Sequence, residues 1–226
     1  MILSAAASLD GYIATSNNDS KLSNSRDWTR VHNLRAQSDA IMVGSGTIRK
    51  DDSKLIVDKK YVLQTPYFSP IRIVVSSTGS IPLNARVITY FPNIPTIIAT
   101  SSRCSREQKL KLEEKGCRII ESGEGPQTDL PQLLHILATK LSINRLMLEG
   151  GSRLNGEMLC HQLIDEIHLA IAPVICGVGI PLFDLPSPFS AFSESPFFKI
   201  ISNEQIGDMI FLKILLELKF EENRQR

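Results

Sequence analysis

The residues with the clearest chemical potential form one junction, Glu149-Gly150-Gly151-Ser152, directly after the short apolar run 145–148. Glycines let backbone N–H groups approach a ligand, and the start of a helix adds unpaired donors and partial positive charge. Glu149 ends a buried strand, where a carboxylate is costly unless it is paired or faces a ligand. Ser152 or Asn155 could cap the following helix or touch the ligand. The junction therefore predicts either a phosphate-binding turn beside a working acid or an ordinary strand-to-helix connection.

Three other apolar runs end in the same kind of residue. Small polar residues and glycines follow them at positions 44–47, 76–79 and 100–103. If these strands are parallel neighbours, their carboxyl ends form one rim, and ligands of α/β sheets bind at such ends. A rim of hydroxyls, amides and glycines suits a long phosphorylated cofactor. The common dinucleotide fingerprint G-x-G-x-x-G is absent from the sequence.

The elements that must position this rim alternate between apolar runs and amphipathic stretches. Predicted strands cover residues 2–7, 12–14, 40–43, 71–75, 96–99, 118–120, 145–148, 166–172, 197–201 and 209–218. Predicted helices cover 26–36 (capped by Ser25), 48–52, the stretch from Ser105 to Gly116, 130–141 and 154–163. The last two strands, joined by the polar segment 203–208, should form an antiparallel pair. We therefore expect a mixed, mostly parallel α/β sheet with helices on both faces. It forms a single domain of residues 1–220, followed by a charged tail at 221–226.

Composition limits the classes of partner. The 226 residues are 42% hydrophobic and 22% charged, with a net charge of +1, which favours neither nucleic acid nor a membrane surface as partner. No apolar run approaches the ~20 residues of a membrane span, and the N-terminus lacks the basic segment of a secretion signal. The four cysteines are widely spaced and the histidines show no metal-binding spacing. These features predict a cytoplasmic protein with a small-molecule ligand and no metal.

Short motifs follow one another along nearly the whole chain. They are S-L-D-G-Y-I-A at 8–14, N-N-D-S-K at 17–21, R-V-H-N-L-R-A at 30–36, V-G-S-G-T-I-R-K-D-D at 43–52, R-I-V-V-S-S at 72–77, P-L-N-A-R-V at 82–87, L-E-G-G-S-R-L-N-G at 148–156 and D-E-I-H-L-A-I-A-P at 165–173. In this order they resemble the pyrimidine reductases of riboflavin biosynthesis, which share a fold with dihydrofolate reductase. Neither H-x-E nor P-C-x-x-C occurs, so the zinc deaminase carried by some relatives is not in this sequence. The resemblance is to the stand-alone archaeal and fungal branch.

That resemblance implies a homodimeric, NADPH-dependent oxidoreductase. It would convert the ribosylamino group of 2,5-diamino-6-ribosylamino-4(3H)-pyrimidinone 5′-phosphate, or of the 5-amino-6-ribosylaminouracil analogue, to ribitylamino. Matching positions imply cofactor contacts at Ala7, Thr47, Asp51, Ser77, Gly150, Gly151, Ser152 and Asn155. Substrate contacts are implied at Ser20, Arg35, Leu55 and Glu149. Glu149 and Asp51 are the candidate catalytic acids beside an imine on the substrate.

Departures from the family pattern keep alternatives open. Tyr12 stands where relatives commonly carry a basic substrate-side residue, and 52–55 reads D-S-K-L where relatives often have D-x-P before the leucine. The G-G expected after the Ala-Pro strand is G-V-G at 177–179. One alternative is a reductase of another pyrimidine, pterin or folate, although Asp27 is the first helix's only acid and lies at its very start. The other is a nucleotide-binding module without turnover. A substrate-side Glu149 predicts that Glu149→Gln barely changes stability while turnover falls ~100-fold.

Overall fold

The computed structural model describes residues 1–62, 68–191 and 193–217, and these form one large sheet flanked by helices. The strands are β1 (Ile2–Ser8), β2 (Tyr12–Thr15), β3 (Ala40–Gly44), β4 (Ile71–Val75), β5 (Thr96–Thr100), β6 (Arg118–Glu121), β7 (Leu146–Leu148), β8 (Glu166–Ala172), β9 (Gly179–Pro181), β10 (Phe197–Ile206) and β11 (Met209–Glu217). The helices are α1 (Ser25–Ala36), α2 (Ser45–Asp51), α3 (Arg86–Thr89), α4 (Arg106–Glu114), α5 (Leu130–Leu141) and α6 (Ser152–Cys160), with a 3-10 turn at Lys59–Tyr61.

The main sheet has the order β10-β11-β8-β1-β7-β3-β4-β5-β6. All strands from β8 to β6 in that order run parallel, β11 is antiparallel to β8, and β10 is antiparallel to β11. A separate small sheet pairs β2 with β9. The expected mostly parallel sheet with an antiparallel C-terminal pair is therefore confirmed.

Alternating residues of the central strands divide the core between two faces. Ala40 and Met42 of β3 pack with α5 and α6, whereas Ile41 and Val43 pack with residues of α2, α3 and α4. Because side chains of a strand point alternately to opposite faces, each face of the sheet is covered by its own helices. The prediction of helices on both faces is confirmed.

Several local expectations are wrong, each for a visible reason. Asn24 caps α1, not Ser25, because its Oδ1 accepts from the N–H groups of Arg26 and Asp27 at 3.0 Å. The segment 203–206 belongs to β10, since it continues the ladder to β11 and leaves a turn at 207–208. Neither α3 nor β9 was predicted, and α2 begins three residues before the predicted helix.

Other expectations hold or lie outside the described part of the chain. Ser105 caps α4, and α5 and β8 have the predicted bounds. The tail 221–226 and the predicted end of the last strand at Leu218 lie outside the described residues. No helix in the described ranges is both long and apolar enough to cross a bilayer.

Candidate functional site

The predicted rim exists because β7, β3, β4 and β5 are parallel neighbours. Their carboxyl ends lie side by side at one edge of the sheet and border a cavity of about 650 Å³. The cavity wall contains residues from all four expected junctions: Gly151 and Ser152, Gly44 to Thr47, Ser76 and Ser77, and Arg103. A cavity of this size and position fits a dinucleotide better than a small ion.

Five of the predicted cofactor residues border this cavity and three do not. Those on the wall are Thr47, Asp51, Ser77, Gly151 and Ser152. Ala7, Gly150 and Asn155 do not border it, and all three are buried. Asn155 supports the turn from below, because a Cβ placed on Gly150 would lie 3.7 Å from its Nδ2. We therefore assign these three to the layer behind the wall.

Gly150 and Gly151 are required for different physical reasons. Gly150 has φ +95°, a conformation that L side chains rarely adopt, whereas Gly151 has φ −75° and needs no such freedom. At Gly151 the constraint is space, since a Cβ there would lie 3.2 Å from Thr47 Oγ1. Gly151 is also the N-cap of α6 and offers no side chain to its first N–H groups. The helix thus begins at the cavity wall with donors suited to a pyrophosphate.

The predicted helix caps Ser152 and Asn155 bond elsewhere. The Ser152 hydroxyl donates to the carbonyl of Pro181, and Asn155 Nδ2 donates to the carbonyl of Leu182 at 3.0 Å. Both bonds fasten α6 to the segment that contains β9. Asn155 Oδ1 is buried with no partner among the described residues.

Four cations and three carboxylates share the cavity wall. They are Arg49, Lys50, Arg103, Arg153, Asp51, Glu157 and Asp184. Lys50 Nζ donates to Asn18 Oδ1 at 2.5 Å, and Arg49 Nη1 donates to the carbonyl of Ser80 at 2.8 Å. Partial desolvation raises the pKa of Asp51, and the charge of Lys50 opposes that rise. A carboxyl group with a raised pKa is a better proton donor near neutral pH than an ordinary aspartate.

The expected substrate-side residues form a separate cluster around one ion pair. Arg35 Nε and Nη2 each donate to a Glu149 carboxylate oxygen at 2.7 Å, and Nη1 donates to the carbonyl of Ile56 at 2.7 Å. The two side chains are only 11% and 13% exposed. Burial opposes the charge of Arg35, but the Glu149 carboxylate outweighs it and raises the pKa of the guanidinium. Glu149 is therefore already fully paired.

Leu55 and Ser20 have different surroundings. Leu55 adjoins Ile56 with φ +51° and packs in the core against residues that include Ile48. Ser20 lies on the exposed loop between β2 and α1. Neither they nor the Arg35–Glu149 pair borders the cavity, so the residues expected to contact the substrate lie apart from most of those expected to contact the cofactor.

Asp27 and Tyr12 bear on the alternative substrates. Asp27 is buried and accepts from Arg30 Nε at 2.9 Å, and Arg30 also donates to Ser4 Oγ and to the carbonyl of His168. Because this network joins α1 to β1 and β8, Asp27 has a structural role. Tyr12 is half-buried in β2 opposite Pro181 of β9.

Sequence reasoning missed two parts of the wall. Ala14, Asn18, Ile180 and Asp184 come from the β2–β9 region, and Pro126, Gln127 and Thr128 come from the loop before α5. These segments are short or irregular, so no periodic pattern marked them. The one available signal was the cap sequence Thr128-Asp129 ahead of a strongly amphipathic helix.

One known protein family matches nearly the whole chain. Residues 1–211 match the model of the RibD C-terminal domain. The chain belongs to this family. The riboflavin-type reductase suggested by the motifs is thus confirmed, and the chain is an oxidoreductase of this family.

Individual relatives agree with the family assignment. The 2,5-diamino-6-ribosylamino-4(3H)-pyrimidinone 5′-phosphate reductase of Methanothermobacter thermautotrophicus is 41% identical over 78% of this chain and 79% of its own. The protein of the same name from Aquifex aeolicus is 35% identical over 78% of each. RibD from Acinetobacter baumannii has the same fold, with a TM-score of 0.82 at 24% identity. That match covers 96% of this chain and 57% of the RibD chain, so this chain spans little more than half of it.

Proposed function

We propose that this RibD C-terminal domain protein reduces the ribosylamino group of a phosphorylated pyrimidine to ribitylamino, with NADPH as hydride donor. The substrate proposed is 2,5-diamino-6-ribosylamino-4(3H)-pyrimidinone 5′-phosphate, which the names of its relatives contain. The observation that most directly supports this proposal is the large cavity across the carboxyl ends of four parallel strands. Gly151 of the Gly150-Gly151 turn and the start of α6 lie in its wall.

The sheet order supports one orientation for the cofactor. From β5 to β1 the edge passes β4, β3 and β7, four intervals of ~4.8 Å or about 19 Å in all. Gly151 and Thr47 border the middle of this path and would hold the pyrophosphate. Ser77 and Arg103 lie toward β5, where the adenosine half would rest, and the nicotinamide would point toward Ala7 of β1.

Reduced nicotinamide supplies the hydride, and the protein supplies position and proton control. When the ribosylamine ring opens, its ring oxygen takes a proton and the exocyclic nitrogen forms an iminium with C1′. Hydride addition at C1′ then leaves the amine, so one proton is consumed per turnover. We assign its delivery to Asp51, whose carboxyl group lies in the cavity wall with a raised pKa.

Glu149 receives a different assignment from Asp51. Arg35 donates to both carboxylate oxygens of Glu149, so neither oxygen is free to pass a proton to a substrate. Its fixed negative charge would favour the iminium over the closed ring. The same ion pair holds the Leu55-Ile56 segment through Arg35 Nη1, so Glu149 also positions the loop that carries a substrate-side residue.

The decisive experiment is NADPH oxidation with the diaminopyrimidinone and aminouracil ribosyl phosphates side by side, and with dihydrofolate as control. We expect loss of NADPH absorbance together with formation of the ribityl product for at least one ribosyl phosphate. Oxidation only with dihydrofolate would select the folate alternative. Tight NADPH binding without oxidation by any of the three would select a nucleotide-binding module and refute the proposed reaction.

We further propose a cytoplasmic homodimer that pairs through the edge of the main sheet. The apolar strand β11 is not available for pairing, because it lies between β10 and β8. The edge is β10, which exposes 60% of Phe197, 57% of Ile200 and 46% of Ile201. The first five residues of this ten-residue edge strand, FFKII, are mostly apolar, and an exposed apolar edge is prone to pair with another strand. Light scattering should give a dimer at micromolar concentration, and Ile200→Lys should shift it toward monomer.

A further inference from the structure

The adenosine end of the cavity lies where β4 and β5 finish. Its wall includes Ser76, Ser77, Arg103, Gln127 and Thr128. NADPH differs from NADH only by a phosphate on the adenosine ribose, so this end must distinguish the two. The inference that follows rests on the proposed NADPH site and names the residue that makes the distinction.

Most serines at this end are already engaged in building the wall. Ser101 Oγ donates to the carbonyls of Ser77 at 3.0 Å and Pro126 at 3.2 Å. Ser102 Oγ donates to the carbonyls of Glu124 and Gly125 at 3.0 and 3.1 Å. These bonds fasten the loop before α5 to the end of β5. The hydroxyls of Ser101 and Ser102 therefore hold that loop in place and are not free to donate to a phosphate.

Ser77 is engaged in the same way. Its Oγ accepts from the N–H of Thr128 at 3.1 Å and shares a hydrogen bond with Thr128 Oγ1 at 3.2 Å. A doubly bonded hydroxyl with no charge is a weak partner for a dianionic phosphate. Recognition of the extra phosphate therefore needs a cation at this end.

Arg103 is that cation. It follows the two engaged serines, is exposed on the cavity wall, and forms no ion pair among the described residues. Two acids of this region have other partners, since Glu107 pairs with Lys111 and Glu121 with Lys109. Of the other wall cations, Lys50 Nζ and Arg49 Nη1 already donate to Asn18 Oδ1 and the carbonyl of Ser80. Arg153 lies at the start of α6 beside the Gly150-Gly151 turn, which is the proposed pyrophosphate position and not the adenosine end.

We infer that Arg103 binds the 2′-phosphate of NADPH and sets the preference for NADPH over NADH. A guanidinium can bond two phosphate oxygens in parallel, which a ribose hydroxyl cannot reproduce. Because a phosphate monoester loses half of its second charge near pH ~6, the preference should fall below that pH. It should also fall as salt is raised, since this contact is exposed to solvent.

The test is fluorescence titration of NADPH and of NADH into wild type, Arg103→Met, Arg103→Lys and Arg106→Met. Arg106 opens α4 three residues later and does not border the cavity, so it controls for loss of a nearby charge. Arg103→Met should weaken the binding of NADPH about tenfold, which is about 1.4 kcal/mol. The affinity for NADH should change by less than about twofold on the same scale. Arg103→Lys should keep part of the preference, and Arg106→Met should behave as wild type.

The possible outcomes separate this inference from the proposed reductase. An Arg103→Met protein that keeps the wild-type preference overturns the inference alone, as does equal weakening of NADPH and NADH. A wild-type protein that binds neither dinucleotide overturns the proposed function and this inference together. Loss of the salt dependence of the preference only in the Arg103 variants supports the assignment.

Discussion

The Arg35–Glu149 pair allows a quantitative prediction that differs from the one the sequence alone suggests. Glu149→Gln removes a charge but keeps one acceptor oxygen. It leaves Arg35 with two donors aimed at a neutral amide, in a site where the two side chains are 11% and 13% exposed. The structure therefore predicts a clear loss of stability, where the sequence argument expected almost none.

The magnitude follows from what remains after the substitution. Removing one partner of a buried ion pair costs about 3–5 kcal/mol, because the other charge stays buried. The glutamine keeps one of the two hydrogen bonds, so we expect about 2–3 kcal/mol for Glu149→Gln. For a chain of this size that corresponds to a fall in melting temperature of about 4–12 °C. The double variant Arg35→Met with Glu149→Leu removes both charges and should recover part of that loss.

Three measurements on the same variants decide the question: thermal melting, NADPH affinity and steady-state turnover. NADPH affinity should stay within about threefold, since neither side chain borders the cavity proposed to bind the cofactor. Turnover should fall by about 100-fold if the fixed charge supports the iminium. A Glu149→Gln protein with the melting temperature of wild type would refute the stability argument. Full activity in that variant would show that Glu149 serves the fold alone.

Three further predictions concern other positions. Gly151→Val should abolish NADPH binding in a folded protein, because its methyl groups would fill the cavity wall; unchanged affinity would show the turn to be only structural. Gly156→Ala should destabilise the fold, since its Cβ would lie 2.1 Å from the carbonyl oxygen of Asp184. A variant with the melting temperature of wild type would contradict this close packing. Burial, together with the charge of Arg35, lowers the pKa of His32 to about 4. The unfolded chain then binds more protons between pH 4 and 6.5, so stability should fall by up to about 3 kcal/mol as the pH drops through that range. Chemical denaturation of wild type and His32→Gln checks this, and equal pH slopes for the two would exclude His32 as the cause.

The sequence determined those features of this protein that depend on local spacing. Helix α5 (Leu130–Leu141) has its predicted bounds because leucines repeat at helical intervals behind the Asp129 cap. Strand β8 (Glu166–Ala172) does too, because Pro173 ends the apolar run. Small residues after apolar runs also marked the rim correctly, since the carboxyl ends of parallel strands meet at one edge.

The tertiary structure alone decided which side chains are free to act. Arg35 and Glu149 are separated by 114 residues, and only the packing of α1 beside β7 joins them. Ser101 and Ser102 belong to the predicted rim, but the fold shows that their hydroxyls donate to carbonyls of the loop before α5. Spacing along a chain fixes the periodic faces of helices and strands, but a hydrogen-bonding group meets its partner only when distant segments pack together. That is why the sequence located the rim, whereas the fold determined which of its side chains are already bonded to other parts of the chain.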